Sequence, residues 1–150
     1  MKSSFFLALD PPRVTAQQKG VRVVNGKPMF YEKSEVKAAR EILTLHLRKY
    51  KPKHPMQGAV RLLCVWRFRG KKAGWKVTRP DTDNLEKLLK DVMTELGFWK
   101  DDAQVVSETA EKMWHPRPGI YVEVEEVDDG VETGHAQGHP GLSRTQEGGE

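Results

Sequence analysis

The sequence predicts a single small α/β or α+β domain built on one mixed β-sheet and two main helices. Three observations predict this fold class: a length of 150 residues, a composition of 37% hydrophobic and 31% charged residues, and short β-prone runs separated by two amphipathic helical stretches. The predicted order is β, hairpin, α, β, α, β, β. The domain is expected to cover residues 1–127 and to be followed by a separate tail over residues 128–150.

The first half of the chain predicts a strand, a hairpin and a helix. The run SFFLALD has the features of a short buried strand, and the two prolines that follow stop it. Asn25-Gly26 lies between two β-prone runs and predicts a hairpin, although Pro28 weakens its second strand. Ser34 caps a helix that Lys51-Pro52 ends. The apolar residues of this helix recur at i, i+3, i+4 spacing: Val36, Ala39, Ile42, Leu43, Leu47 and Tyr50.

The second half predicts a helix flanked by strands. Residues 59–67 are short and β-rich, which fits a central strand. A helix is predicted over residues 84–96, with Gly97 as its C-cap. Its apolar stripe is formed by Leu85, Leu88, Leu89, Val92, Met93 and Leu96. Strands are predicted at 105–113 and 120–127, joined by a proline-containing turn.

Composition excludes several classes of protein. No apolar run approaches the roughly 20 residues that span a bilayer, and the apolar stretch near the N-terminus is brief and lacks a small-residue cleavage site. We therefore expect an intracellular, cytoplasmic protein without membrane contact. The one cysteine, Cys64, lies in the apolar run AVRLLCVW, so a packing role is expected and a disulfide framework is excluded.

The predicted tail differs from the domain in composition and charge. From Asp128 onward there are five acidic residues and one basic residue, a net charge of −4, which leaves +8 on residues 1–127 of a chain whose total is +4. The tail holds six of the 13 glycines and no aromatic residue, so we expect it to be disordered. His135 and His139 are expected to be solvated rather than metal ligands.

The positive charge of the domain is concentrated in RFRGKKAGWKVTR, which begins at Arg67. Basic residues interleaved with Trp75 suit phosphate contact and base stacking. The candidate DNA contacts are Arg67, Arg69, Lys71, Lys72, Lys76 and Arg79. From the charge alone, a solubilising surface is the favoured explanation.

The segment RPDTDNLEKLLKDV is acidic at the start of a predicted helix. Asp83, Lys87 and Asp91 fall at i, i+4, i+8 on one face of the predicted helix. Asp81 lies beside Asp83 at the N-terminal end of that helix. A second acidic pair, Asp101-Asp102, follows the turn GFWK. If these carboxylates converge, a cation must lie between them.

Two interpretations of the acidic segment are open. Asp83 can serve as an N-cap with Glu86 as its capping-box partner, beside an ordinary Lys87–Asp91 ion pair. Alternatively, oxygen ligands without histidine or cysteine select Mg²⁺ or Mn²⁺. A calcium-binding EF-hand loop is excluded because its sixth and twelfth positions would be Glu86 and Val92. A dehalogenase-type phosphatase also fits badly, since its paired aspartates directly follow an apolar strand near the chain start. A basic domain with such a site suggests phosphodiester hydrolysis, in which Lys87 can neutralise a phosphate oxygen.

The run DTDNLEKLLKDVMTELGFWKDDAQVV resembles the signature of the RusA family of Holliday junction resolvases, Asp-x-Asp-Asn-x-x-Lys followed by a helix and Asp-Asp-x-Gln. The likeness covers most of residues 1–127. It implies a homodimeric, Mg²⁺-dependent endonuclease of small α/β fold that resolves four-way DNA junctions by paired nicks. A role in phage or bacterial recombination and repair follows. The oxygen ligands of the acidic segment also predict that Mn²⁺ can substitute for Mg²⁺. The turn between Arg67 and Arg79 departs from the expected pattern because it is longer.

The resemblance also implies roles for individual residues. The implied catalytic residues are Asp81, Asp83, Asp102 and Lys87, of which the three aspartates would hold the metal. The implied supporting residues are Asn84, Asp91 and Asp101. Two alternatives stay open: a structure-selective DNA-binding protein without catalysis, and a metal-dependent hydrolase of small nucleotides, which would not need the basic flank.

Overall fold

The computed structural model describes residues 1–13, 19–32 and 34–128. The strands are β1 (Lys2–Leu7), β2 (Lys19–Val24), β3 (Lys27–Glu32), β4 (Ala59–Arg69), β5 (Gly74–Trp75), β6 (Val105–His115) and β7 (Gly119–Val127). The helices are α1 (Ser34–Leu47) and α2 (Thr82–Leu96), and short 3-10 turns follow α1 at Arg48–Tyr50 and precede β6 at Asp102–Gln104.

The main sheet has five strands in the order β1-β7-β4-β6-β5. β4 and β6 are parallel, and the other neighbours pair antiparallel, so the sheet is mixed. The connection from β4 to β6 contains α2, as a parallel pair requires a crossover. The predicted fold class, a small α+β domain with a mixed sheet and two main helices, is confirmed.

Both helices pack on one face of the sheet and enclose the core. Alternate residues of β4 point to that face and are buried: Val60, Leu62, Cys64, Trp66 and Phe68. Cys64 therefore packs in the core, as predicted. Helix α1 buries Val36, Ala39, Leu43 and Leu47, whereas the predicted core residue Ile42 is 48% exposed. At the end of α2, Gly97 adopts φ 89° and its N–H donates to the carbonyls of Met93 and Thr94, which confirms the predicted C-cap.

The Asn25-Gly26 hairpin forms a separate two-stranded sheet of β2 and β3. Asn25 and Gly26 have φ of 51° and 77°, the left-handed conformations that a two-residue hairpin turn favours. Pro28 does not prevent the second strand, because β3 is an edge strand in which Pro28 faces Val23.

The remaining differences from prediction are small. Helix α2 begins at Thr82, two residues before the predicted start, and β4 continues to Arg69. The two-residue strand β5 was not predicted, because a strand this short leaves no periodic signal in the sequence. The tail beyond Asp128 and both of its histidines lie outside the described residues. Among the helices that the structure describes, none is long and apolar enough to cross a membrane.

Candidate nuclease site

The connection from β4 to α2 presents the basic surface. Lys71, Lys72, Arg79 and Trp75 are exposed, and the indole of Trp75 is 68% accessible. Arg69 is also exposed and its Nε lies 3.4 Å from the Asp10 carboxylate. The Arg67 guanidinium lies over the ring of Phe6, 5.4 Å from the ring centroid. The residues between β4 and Asp81 form a basic loop beside the start of α2, which we call the β4–α2 loop (residues 70–80), and Arg67 and Arg69 lie on β4 next to it.

Lys76 differs from the other predicted DNA contacts because it is only 4% exposed. Its ammonium group donates to Thr78 Oγ1 at 2.6 Å and to the Arg79 carbonyl at 2.7 Å. The same group lies 4.3 Å from the centroid of the Trp114 ring. The placement of Lys76 on a DNA-binding surface is therefore corrected: its charge faces the protein, not solvent.

The N-terminal end of α2 presents two exposed carboxylates, those of Asp81 and Asp83. Asp81 occupies the N-cap position, and its backbone carbonyl accepts from Leu85 N at 3.1 Å, which closes the first helical turn. The Asp81 side chain makes no capping hydrogen bond. Asn84 is half-buried and Lys87 is exposed on the next turn. This end of the helix thus directs carboxylate oxygens, with a lysine nearby, towards solvent.

The alternative capping box between Asp83 and Glu86 is not formed. Asp83 lies inside the helix, and Glu86 is 2% exposed and accepts a hydrogen bond from Trp66 Nε1 at 2.7 Å. The predicted ion pair between Lys87 and Asp91 is present, with 3.8 Å between its charged atoms. Asp91 also lies 3.5 Å from the Arg40 guanidinium.

The other acidic residues lie at the C-terminal end of α2. There an open pocket of about 390 Å³ is lined by Arg40, Asp91, Thr94, Glu95, Lys100, Asp101 and Asp102. Asp101 caps the 3-10 turn: its Oδ1 accepts from Ala103 N at 2.8 Å, and Gln104 Oε1 accepts from Asp101 N at 3.0 Å. Gln104 also donates to the carbonyls of Met56 and Gly58, which ties this turn to the start of β4. Asp101 is thus engaged in a structural cap, and half-buried Asp102 is its neighbour in the pocket.

One chain does not bring Asp81, Asp83 and Asp102 together. Helix α2 has 15 residues, so its two ends are about 20 Å apart at 1.5 Å per residue. Over the described ranges, no three histidine, cysteine, aspartate or glutamate side chains lie close enough to hold one metal ion. The acidic residues instead form two separate groups, one at each end of α2.

Comparison with known proteins identifies the family. The family model described as Endodeoxyribonuclease RusA matches residues 11–125. A "Crossover junction endodeoxyribonuclease rusA" from Lactococcus phage r1t is 35% identical over 133 residues, covering 85% of this chain and all of the relative. The chain belongs to the RusA family. Proteins named crossover junction endodeoxyribonuclease RusA from Escherichia coli K12 and Shigella sonnei are 54% identical over a shorter stretch of 35 residues, 23% of this chain and 29% of theirs.

This RusA-family chain also contains a buried carboxyl group that the sequence analysis assigned differently. Burial raises the pKa of Glu86 to about 8; the hydrogen bond from Trp66 opposes this rise, and the neighbouring Glu108 carboxylate adds to it. Burial, together with the charge of Glu86, also raises the pKa of the Cys64 thiol. The sequence contained a signal for the burial of Glu86, because this residue lies on the apolar stripe of α2, three residues before Leu89 and seven before Met93. The group anchors the helix that carries Asp81 and Asp83 to the sheet.

Proposed function

We propose that this RusA-family chain is a Mg²⁺-dependent, structure-selective endodeoxyribonuclease. It works as a homodimer that resolves four-way DNA junctions by paired symmetric nicks in recombination and repair, in the cytoplasm. The observation that carries the proposal is the pair of exposed carboxylates, Asp81 and Asp83, directly after the exposed basic β4–α2 loop. Family membership and the name of the phage relative support the same activity.

The donor atoms at the start of α2 fit Mg²⁺ or Mn²⁺. Asp81 and Asp83 offer oxygen ligands, and Asp81 is not used as a side-chain cap. Hard cations prefer such oxygen ligands, and Mg²⁺ needs only a few of them because phosphate and water complete its shell. When bound, the ion would supply stabilisation of the negative charge that develops on the scissile phosphate. Lys87, one turn further along the helix, would neutralise a second phosphate oxygen.

Asp102 has a role in this proposal only if a second copy of the chain supplies it. Within one chain the length of α2 separates it from Asp83. A two-fold axis that passes beside the middle of α2, perpendicular to the helix, would place the C-terminal end of one copy's helix beside the N-terminal end of the other's. We therefore propose that each site combines Asp81, Asp83 and Lys87 of one copy with Asp102 of the other. Asp91 and Asp101 would support Asp102 from the same pocket.

The substrate is proposed to be branched DNA bound by the basic surface. Arg69, Lys71, Lys72 and Arg79 are exposed and can contact phosphates, and the exposed indole of Trp75 can stack on a base. Arg67 is half-buried against Phe6 and lies on β4, next to this surface. A two-fold symmetric junction matches a two-fold symmetric dimer, in which each site cuts one strand.

The activity test compares an end-labelled four-way junction with a linear duplex of the same sequence. Wild type and Asp83→Asn are assayed with Mg²⁺ and with EDTA. The proposal expects paired nicks in the junction alone, lost in the variant and with the chelator. Junction binding without nicking would identify a DNA-binding protein, and cleavage of free nucleotides unaffected by alanines at Lys71 and Lys72 would identify a small-nucleotide hydrolase.

The sharing of each site between two copies has its own test in defined heterodimers, purified through two different affinity tags. A heterodimer of Asp83→Asn with Asp102→Asn would keep one complete site and nick one strand at about half the total wild-type rate. A heterodimer of wild type with the Asp83→Asn, Asp102→Asn double variant would keep none. The reverse pattern would show that Asp102 acts within its own chain.

A further inference from the structure

Two lysine ammonium groups hold the segment that leads into Asp81. Lys76 donates to the Thr78 hydroxyl and the Arg79 carbonyl, at 2.6 and 2.7 Å. Lys112, on β6, donates to the Thr78 carbonyl and, at 2.7 Å, to the Pro80 carbonyl. The carbonyls of residues 78, 79 and 80 are therefore each bound by a positive charge immediately before the first carboxylate of the proposed site.

The burial of Lys76 is energetically expensive and so requires compensation. Lys76 is 4% exposed, its ammonium group lies 4.3 and 5.0 Å from the ring centroids of Trp114 and Phe68, and Lys112 is close by. Burial lowers the pKa of Lys76, and the positive charges of Lys112 and Arg13 lower it further. The aromatic faces and the two oxygen acceptors offset part of this cost. A lysine that only contacted DNA would not need to be buried in this way.

The contacts fix Asp81 from both sides. Before it, the lysine pair joins residues 78–80 to β6, and the backbone N–H of Lys76 donates to the Lys112 carbonyl at 3.3 Å. After it, the Asp81 carbonyl accepts from Leu85 N in the first turn of α2. The connecting loop offers little regular structure of its own, since β5 has only two residues. The lysine contacts therefore restrain the backbone immediately before Asp81.

We infer that Lys76 and Lys112 are positioning residues, which hold residues 78–80 so that the Asp81 carboxylate is presented to the metal ion and the scissile phosphate. The inference rests on the proposed function, because it assigns the purpose of the lysine pair to that site. The pair acts through the backbone: neither lysine touches substrate in this arrangement. Loss of either ammonium group leaves backbone carbonyls without their donors and frees the loop ahead of Asp81.

The test uses the full chain with Lys76→Met or Lys112→Met, which keep an unbranched apolar stem and remove the charge. Lys112→Arg is the conservative variant, because a guanidinium can still donate to both carbonyls. Lys90→Met is the matched control, since Lys90 Nζ also bonds from a partly buried position, to Glu108 at 3.0 Å, away from the loop. Asp83→Asn reports on the proposed site itself. Every protein is assayed at least about 10 °C below its own melting temperature, so that each variant is folded during the measurement.

Three quantities are measured: Mn²⁺ affinity by calorimetry, junction affinity in EDTA, and single-turnover cleavage against Mg²⁺ concentration. We expect both methionine variants to weaken Mn²⁺ binding and to raise the half-activating Mg²⁺ concentration by at least about tenfold, or about 1.4 kcal/mol. Junction affinity should change by less than about twofold, and Lys112→Arg should restore most of the loss. Lys112→Met keeps the test decisive if Lys76→Met does not fold, because Lys112 is only partly buried.

The outcomes separate this inference from the proposed function. If wild type does not cleave junctions with metal, the proposed function fails. If wild type cleaves, Asp83→Asn does not, and both methionine variants keep wild-type Mn²⁺ affinity and Mg²⁺ activation, the positioning inference is overturned while the proposed function stands. A lowered melting temperature with unchanged metal dependence would likewise overturn it, because the lysines would then only stabilise the fold.

Discussion

The buried carboxyl group of Glu86 makes the stability of the domain depend on pH. Burial raises the pKa of Glu86 from its ordinary value of 4.5 to about 8. At neutral pH the folded protein therefore keeps Glu86 protonated, whereas the same residue in the unfolded chain is ionised. The neutral group accepts from Trp66 Nε1 through Oε2, and its other oxygen, Oε1, is buried without a hydrogen-bond partner among the described residues. Glu86→Gln replaces it with a neutral group of the same shape that can keep the bond from Trp66.

The sign and size of the effect follow from proton linkage. Between pH 4.5 and about 8 the folded state binds more protons than the unfolded state, so the free energy of unfolding falls as the pH rises through this window. The full difference in pKa corresponds to about 5 kcal/mol, at about 1.4 kcal/mol per pH unit. Because part of this shift comes from the neighbouring Glu108 carboxylate, which is itself partly exposed, we expect about 2–4 kcal/mol.

The assay is urea unfolding followed by tryptophan fluorescence at pH values from 5 to 9. The free energy of unfolding of Glu86→Gln, minus that of wild type, isolates this group from other titrations and should rise with pH by about 2–4 kcal/mol. Glu41→Gln, at an exposed position of α1, is the control and should show a flat difference. Parallel profiles for wild type and Glu86→Gln would refute a protonated Glu86.

Three further predictions concern the site, the basic surface and the fold. Mg²⁺ at ten times its Kd should raise the free energy of unfolding of the wild type by about 1.4 kcal/mol, and Asp83→Asn should lose most of that rise. A wild-type melting temperature that does not change at several millimolar Mg²⁺ would contradict metal binding at this site. Replacing the Lys71–Lys72 pair with alanines should reduce the slope of log affinity for a junction against log salt by about 2, and an unchanged slope would remove these lysines from the DNA contacts. Gly119→Ala should lower the free energy of unfolding measured in urea by about 1–3 kcal/mol, because the added Cβ would lie 2.1 Å from Phe6 Cζ. Gly74→Ala is the control and should be nearly neutral, since nothing lies within 4 Å of its added Cβ.

Local sequence patterns predicted most of the fold. The apolar stripe of α2 was predicted from its periodicity and the strand at residue 59 from its β-rich composition, and burial follows both in the structure. Where the sequence analysis went wrong, the deciding contact joins residues distant in sequence. Lys76 has the composition of a surface base, but Trp114 and the Arg79 carbonyl bury its ammonium group. Glu86 was open to a local cap, but Trp66, twenty residues earlier, binds it instead.

The acidic motif is compact in sequence but extended in space, because a helix lies between its two acidic groups. Asp83 and Asp102 are separated by a helix and a tight turn, so in one chain they mark opposite ends of α2. The two acidic groups can form one site only if the N-terminal and C-terminal ends of α2 meet, and a single helix cannot fold back on itself. A second copy of the chain, related by two-fold symmetry and with its α2 antiparallel, would supply the opposite end of the helix. Under the proposed function, an isolated chain would therefore have two incomplete sites, and cleavage would require a dimer, which the symmetry of a four-way junction would also favour.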